Sequence, residues 1–292
     1  MIEVRDYLRD ETMPHVLCPG CAHGIVLRAL LEAIARLGLA KERLAVVAGI
    51  GCSSRLVGHI DVCTLHATHG RAPAFATGIK LAQPDLTVAV LTGDGDGLAI
   101  GGNHLIHAAR RNIDLTCLLF NNSIYGMTGG QLGPTTPQGA MASTAPFGNP
   151  EPPFDAAKLM EAAGATFVAR VSAYEAPVLA DVIAEAIEHR GFSFLDVLSD
   201  CPVYFGRYNR QGAGPEMLAS MKRHDTAIDD VLAEKRFVPH IAPSPGTHVL
   251  PTGVLHRSER PEFAEVSRRL GARGSRPAGV AAPDVEGGAG GR

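Results

Sequence analysis

The chain has 292 residues, 46% of them hydrophobic and 20% charged, with 27 Lys and Arg against 30 Asp and Glu. That length suffices for one or two domains with a buried core. The formal charge of -3 argues against a general polyanion binder, and no apolar run reaches the ~18–20 residues of a membrane span. Neither nucleic acid nor a membrane is therefore an expected partner. The opening residues MIEVRDYLRDETMPH carry no apolar core of a secretory signal. The six cysteines are accordingly read as thiols of a reducing cytoplasm, suited to metal binding or redox chemistry rather than disulfides.

Along the chain, helical and apolar β-rich patterns alternate. A helix over 22–37 precedes a strand at 44–50, and a helix over 72–83 precedes a strand at 86–92. A helix over 100–111 leads to a strand at 115–120, one over 155–163 to a strand at 166–170, and one over 175–190 to a strand at 193–198. Each β-run is short and continuously apolar, as strands covered on both faces are. The alternation predicts an α/β fold, a parallel sheet flanked by helices, with ligands outside the carboxyl ends of the strands. Residues 123–153 form a Gly/Pro/Thr-rich stretch too long for a plain connector and are read as a lid or binding loop. Residues 243–292 hold 9 Gly, 6 Pro and 7 Arg without a Lys, and predict a flexible tail, with a short helix near 262–270. The expected division is one domain over 1–242 and the tail over 243–292.

Gly93-Asp94-Gly95-Asp96-Gly97 directly follows one predicted strand and Asn121-Asn122 another. In a parallel sheet both fall at one edge. A carboxylate and a carboxamide there are hard oxygen donors of the kind Mg²⁺ takes alongside phosphate oxygens. The glycines let backbone N–H groups approach a phosphate, and the helix near 100 begins in the same region. Each motif alone is ordinary turn chemistry. A calcium loop fails because Leu98 stands where an oxygen ligand is needed. The dinucleotide fingerprint fails at Ser54, and no Walker A pattern occurs. The combination of GDG with NN, Asp94 and Asn122 being 28 residues apart, is the thiamine diphosphate motif.

Cys18-Pro-Gly-Cys21 precedes a predicted helix, Cys52 follows the strand 44–50, and Cys201 follows the strand 193–198. Spacing leaves three readings open: an iron–sulfur cluster, zinc, or buried and redox thiols. Topology brings Cys52 and Cys201 to the edge that carries Asp94 and Asn122, and the CPGC loop can fold over it. Cys117 lies inside a strand and reads as core.

Taken together, CPGCAHG (18–24), GIGCSSR (49–55), HATHGRAPAFATGIKLAQPDL (66–86), TGDGDGLAIGGNHLIHAARRNID (92–114), NNSIYGMTGGQLGPTTP (121–137) and DCPVYF (200–205) resemble the beta subunits of 2-oxoacid:ferredoxin oxidoreductases. The likeness covers residues ~15–240 in the family's order. It implies the diphosphate-binding domain of the thiamine diphosphate fold. It further implies Mg²⁺ on the side chains of Asp94 and Asn122 and the carbonyl of Ile124, and a [4Fe-4S] cluster on Cys18, Cys21, Cys52 and Cys201. Ile50, Gly51, Cys52, Ser53, His69, Gly95, Asp96, Gly126 and Met127 become cofactor-contacting positions. His69 is read either as a catalytic group that handles protons or orients substrate, or as a loop-positioning residue. GIGCSSR and THGRAPAFATGIKLA are most similar to the branch that uses 2-oxoglutarate, while Met127 stands where relatives carry Leu or a polar residue.

The resemblance implies oxidative decarboxylation of a 2-oxoacid to an acyl-CoA and CO₂, or its reverse, with electrons leaving through the cluster to ferredoxin. Coenzyme A is the implied co-substrate. No second α/β unit is visible that could bind the pyrimidine half of the cofactor. An alpha subunit is therefore expected to supply the activating Glu, in an alpha-beta or alpha2beta2 heteromer. Two other functions compete: a non-oxidative thiamine diphosphate decarboxylase or synthase subunit, and a zinc-stabilised interaction subunit.

Overall fold

A computed structural model describes residues 3–227 and 250–273. In chain order it contains α1 (His23–Arg36), β1 (Leu44–Ala48), β2 (Cys63–His66), α2 (Ala72–Ala82), β3 (Thr87–Gly93), α3 (Gly102–Arg111), β4 (Leu115–Asn121), β5 (Ile124–Tyr125) and β6 (Gln131–Leu132). There follow α4 (Ala156–Ala162), β7 (Phe167–Ser172), α5 (Ala176–Glu188), β8 (Phe192–Leu198), α6 (Gly214–His224), β9 (Asp225–Ala227), β10 (Leu250–Arg257) and α7 (Phe263–Arg273). All five predicted strands and all five predicted helices are present within a few residues of their expected bounds. No helix among the described residues is long and apolar enough to cross a membrane.

Eight strands form one sheet in the order β2-β1-β3-β4-β8-β7-β10-β9. From β2 to β7 every neighbouring pair is parallel, and β10 joins β7 antiparallel. Side chains alternate across the sheet as the two-residue period requires. Leu44, Val46 and Ala48 of β1 pack with α1 and α5 on one face. Ala45 and Val47 pack with α2, α3 and α4 on the other. Both layers bury apolar side chains, which is why the strands read as continuous apolar runs. Cys117 faces the second layer with no exposed surface, as a core residue.

The chain leaves β1 toward β2 on one side and returns to β3 on the other. The loops after β1 and β3 therefore diverge and open a crevice at the carboxyl edge, where α/β folds bind ligands.

The region expected as a tail departs from expectation over 250–273. β10 adds a strand to the sheet, although Pro251 and Gly253 break any apolar run that would announce it. It is held by long-range contacts. Arg257 pairs with Glu185. The guanidinium of Arg260 donates to the carbonyls of Ala109, Arg110 and Gly164 at 3.1, 3.3 and 2.9 Å. Arg260 thus caps the end of α3, whose last carbonyls have no intrahelical partner. The short helix expected near 262–270 is α7, its first turn capped by the Glu262 carboxylate, which accepts from the N–H of Ala264 and of Glu265, both at 2.7 Å. The rest of the expected tail, 243–249 and 274–292, lies outside the described residues.

Candidate functional site

The carboxyl edge gathers the predicted residues. Cys52 follows β1, His69 follows β2, Asp94 directly follows β3, Asn122 follows β4, and Cys201 follows β8. Two adjoining cavities open there, of about 830 and 290 Å³. The larger is lined by Ile50, Gly51, Cys52, Ser53, His69, Asp94, Gly95, Asp96, Asn122, Ile124, Gly126 and Met127, among others. The smaller is lined by Cys18, Cys21, Cys52 and Cys201. His23, Cys52, Asn122, Gly126 and Met127 line both.

Asp94 is buried, and its carboxylate accepts from Thr135 Oγ1 at 2.6 Å and from the Gly95 N–H at 2.9 Å. Burial pushes its carboxyl up to about 6 against these hydrogen bonds. No Lys or Arg lines the cavity around it. A buried carboxylate without a cationic partner is the environment a metal ion completes. Asn122 is also buried, its carboxamide oxygen 3.4 Å from the Ile124 N–H, and Ile124 follows in β5. The donor set therefore fits Mg²⁺, with remaining positions left for phosphate and water oxygens. From Gly95 to Ile100 the backbone forms a π-helical turn continuous with α3, so the helical N-terminus starts directly at the Gly-Asp loop. Its positive end favours a bound anion.

The Asp96 carboxylate is engaged by protein donors. One carboxylate oxygen accepts from the N–H of Gly70 at 2.6 Å and of Ile50 at 3.1 Å, and the other accepts from Thr92 Oγ1 at 2.6 Å. The residue lines the cavity but spends its acceptors on three protein donors. It thereby ties together the loops that follow β1 and β2. Gly49 is needed for this, because a Cβ there would lie 2.0 Å from the Asp96 carboxylate. His69 Nδ1 sits 2.7 Å from the same carboxylate, without an aligned hydrogen bond, which leaves Nε2 for a ligand. Tyr125 donates to the Gly95 carbonyl at 3.0 Å, and its ring covers Gly95 so closely that a Cβ would lie 2.2 Å from it.

The four edge cysteines share the smaller cavity, while Cys63 is exposed on β2 and Cys117 is buried elsewhere. Gly126 forms the cradle between two of them. A Cβ there would stand 3.4 Å from Cys201 Sγ and 3.6 Å from Cys52 Sγ. Burial pushes the Cys21 thiol up to about 12 and the Cys52 thiol to about 11, and it raises Cys201 as well. Such thiols ionise on binding a metal. No three His, Cys, Asp or Glu side chains among the described residues close around a single ion. Four thiols lining one cavity are an arrangement that a group with several sulfur ligands, such as a [4Fe-4S] cluster, would fit.

Several residues here lie inside the resembling stretches but are not singled out by them. Thr135, which holds Asp94, sits in the GPTTP run of the long loop. That loop folds into the β5–β6 hairpin and a buried patch with Ile124, Cys201 and Phe205. His23 lies inside the CAHG stretch. It is fully buried, its ring edge-on to Phe120 at 5.1 Å, neither ring nitrogen has a partner, and burial pushes its imidazole down to about 4. Asp200 is buried beside Cys201, with one oxygen accepting from the Ala22 N–H at 2.8 Å and the other unpartnered. Arg55 is the only Lys or Arg among the residues lining either cavity.

Comparison with known proteins agrees with this geometry. Residues 49–197 match the family model of the thiamine pyrophosphate enzyme C-terminal TPP-binding domain. The chain is 53% identical over 218 residues to the 2-oxoglutarate synthase subunit KorB of Methanothermobacter marburgensis, covering 75% of this chain and 76% of that protein. It is 44% identical over 266 residues to the subunit of the same name from Methanocaldococcus jannaschii, covering 90% and 95%. Among solved structures it is similar to the 2-oxoglutarate:ferredoxin oxidoreductase of Magnetococcus marinus, with a TM-score of 0.82 and 34% identity over 95% of this chain and 92% of that one.

Proposed function

The chain belongs to the beta subunits of the 2-oxoacid:ferredoxin oxidoreductases, within the thiamine pyrophosphate enzymes, and from that premise we propose that it builds one half of a 2-oxoglutarate:ferredoxin oxidoreductase active site. The observation that carries the reading is the shared wall. The Asp94–Asn122 site and the four-cysteine cavity have five lining residues in common. A carbon-chemistry site and a one-electron acceptor are thus set against each other.

When bound, thiamine diphosphate supplies the electron sink for cleaving the bond between C1 and C2 of a 2-oxoacid. Asp94, Asn122 and the Ile124 carbonyl would hold Mg²⁺, which would supply the charge that binds a diphosphate near the helical N-terminus beginning at Gly95. Asp96 positions the loops carrying Ile50, Gly51, Ser53 and His69 around the cofactor. His69 presents Nε2 to the reacting region and is the candidate proton-handling group. Cys18, Cys21, Cys52 and Cys201 would hold the [4Fe-4S] cluster, which would supply one-electron chemistry toward ferredoxin. The Magnetococcus marinus enzyme was solved with 2-oxoglutarate, coenzyme A and succinyl-CoA, and coenzyme A is proposed as the acyl acceptor here too.

The exposed apolar residues Ile50, Ile100 and Met127 line the larger cavity. This apolar rim supports an alpha subunit closing over the site and supplying the pyrimidine-binding half. Cytoplasmic placement follows for a cluster enzyme with free thiols.

The distal carboxylate of 2-oxoglutarate needs a cation, and Arg55, which lines the smaller cavity beside the Cys52 and Met127 wall it shares with the larger one, is the candidate. Arg55→Met is expected to lower kcat/KM for 2-oxoglutarate by about 30-fold or more, the equivalent of about 2 kcal/mol for a truncated charge pair. Pyruvate, lacking that carboxylate, should be little affected. Equal losses on both substrates would remove Arg55 from this role.

The complex of this chain with its alpha subunit, kept anaerobic, tests the function as a whole. With 2-oxoglutarate and coenzyme A it should release CO₂ and reduce ferredoxin, and the chain alone should do neither. Release of CO₂ with no electron reaching ferredoxin would favour the non-oxidative alternative.

A further inference from the structure

His23 is a buried polar side chain with nothing to bind in the protein. It is the first residue of α1, two positions after Cys21, and it is 2% exposed. Neither ring nitrogen has a hydrogen-bond partner. An unpaired buried donor costs about 1–3 kcal/mol, so a persistent one points to a group the site receives. Packing gives no reason for a polar ring here, since its neighbour is the Phe120 ring. The two surroundings it faces differ in what they offer. In the larger cavity, Asp94 already has donors in Thr135 and Gly95, and Asp96 has them in Gly70, Ile50 and Thr92. The smaller cavity concentrates four thiols, and His23 is the only histidine lining it. Of its other side-chain donors, Asn122 belongs to the proposed metal site, Arg55 is exposed, and Tyr204 is half-buried.

We propose that His23 is a positioning residue of the cluster site whose imidazole N–H donates a hydrogen bond to the sulfur of the bound cluster and sets its reduction potential. The inference rests on the cysteine assignment made under Proposed function. Donors to cluster sulfurs stabilise the reduced state, which carries the additional negative charge, and so raise the potential. From its place between the two cavities, His23 thereby adjusts how readily the cluster takes an electron from the carbon-chemistry side.

The test uses the anaerobic complex with the alpha subunit and reads the midpoint potential of the cluster. His23→Leu should move it to a more negative value by at least a tenfold change in the oxidised-to-reduced ratio, about 59 mV for one electron. His23→Gln, which retains an N–H donor, should recover most of the shift. An unchanged potential in His23→Leu, with iron content intact, would overturn the proposal while leaving the cysteine assignment standing. Wild-type complex without iron would overturn both. Because the Leu variant can fail to assemble, wild-type complex carrying ¹⁵N-histidine gives a second reading. Pulsed electron paramagnetic resonance of its reduced cluster should show a histidine nitrogen coupling, and absence of that coupling would also refute the assignment.

Discussion

Asp94→Asn is expected to reduce turnover of the assembled enzyme by about 10³-fold or more and to weaken thiamine diphosphate binding in parallel. The substitution keeps the shape of the side chain and one oxygen, which can still accept from the Gly95 N–H in place of Oδ1 (now at 2.9 Å), while the new amide can donate to the Thr135 hydroxyl in place of Oδ2, which now accepts from it at 2.6 Å. What it removes is the negative charge that the buried site presents to a cation. A metal-anchored anion is stabilised by several kcal/mol, and about 4 kcal/mol corresponds to about 10³ in rate or affinity. The fold should survive, because Asp94 makes no ion pair with another side chain among the described residues. Calorimetric titration with thiamine diphosphate and Mg²⁺, together with circular dichroism of the variant, checks both halves. Wild-type-like cofactor affinity in a folded Asp94→Asn protein would detach Asp94 from the metal.

The second large effect is on electron transfer. Cys52→Ala should eliminate the broad absorption near 400 nm and the reduction of ferredoxin, while thiamine diphosphate still binds. Cys52 lines both cavities, and its Sγ faces Gly126 together with that of Cys201. Loss of an outer-shell partner of a metal site costs roughly 10–100-fold in affinity, and a direct ligand should cost more. Cys63→Ala is the matched control, since Cys63 is exposed on β2 and lines neither cavity. A Cys52→Ala protein that keeps its iron and its ferredoxin activity would remove Cys52 from the ligand set.

How far the site was legible can be argued residue by residue. Asp94, Asn122, Cys52 and Cys201 each follow a strand, so a parallel sheet by itself delivers them to one edge. Their convergence needed only the alternation of apolar runs and helical patterns to be seen. Asp96 was visible in the same motif, but its work as a tie between Gly70, Ile50 and Thr92 depends on loop paths that spacing does not encode. Thr135 and His23 were hidden for the same reason. Each acts through a contact more than 40 residues away along the chain, on Asp94 in one case and against Phe120 in the other. The strand β10 was missed because its composition is that of a loop. Its order comes from pairing with β7 and from Arg260 at the end of α3, both long-range contacts. β2 was missed because it is short and half-exposed at the sheet edge, with no continuous apolar run.

The proposed half-site character of the chain is in keeping with the same geometry. The larger cavity is open and lined by exposed Ile50, Ile100 and Met127, and the polar groups that would activate the pyrimidine are not among its lining residues. As proposed, a second subunit carrying that half would turn two adjoining cavities into one enclosed reaction site. Excluding water there strengthens each electrostatic contact that Asp94 and His69 make.

The central claim, a thiamine–Mg²⁺ site sharing a wall with an iron–sulfur site, is tested most directly by the composition of the anaerobically purified complex. Iron, acid-labile sulfide, zinc, Mg²⁺ and thiamine diphosphate should all be quantified per chain. About four iron and four sulfide are expected on the cysteines of this subunit, with one Mg²⁺ and one thiamine diphosphate, and with iron lost selectively in Cys52→Ala. One zinc per chain with neither iron nor thiamine diphosphate would contradict that claim.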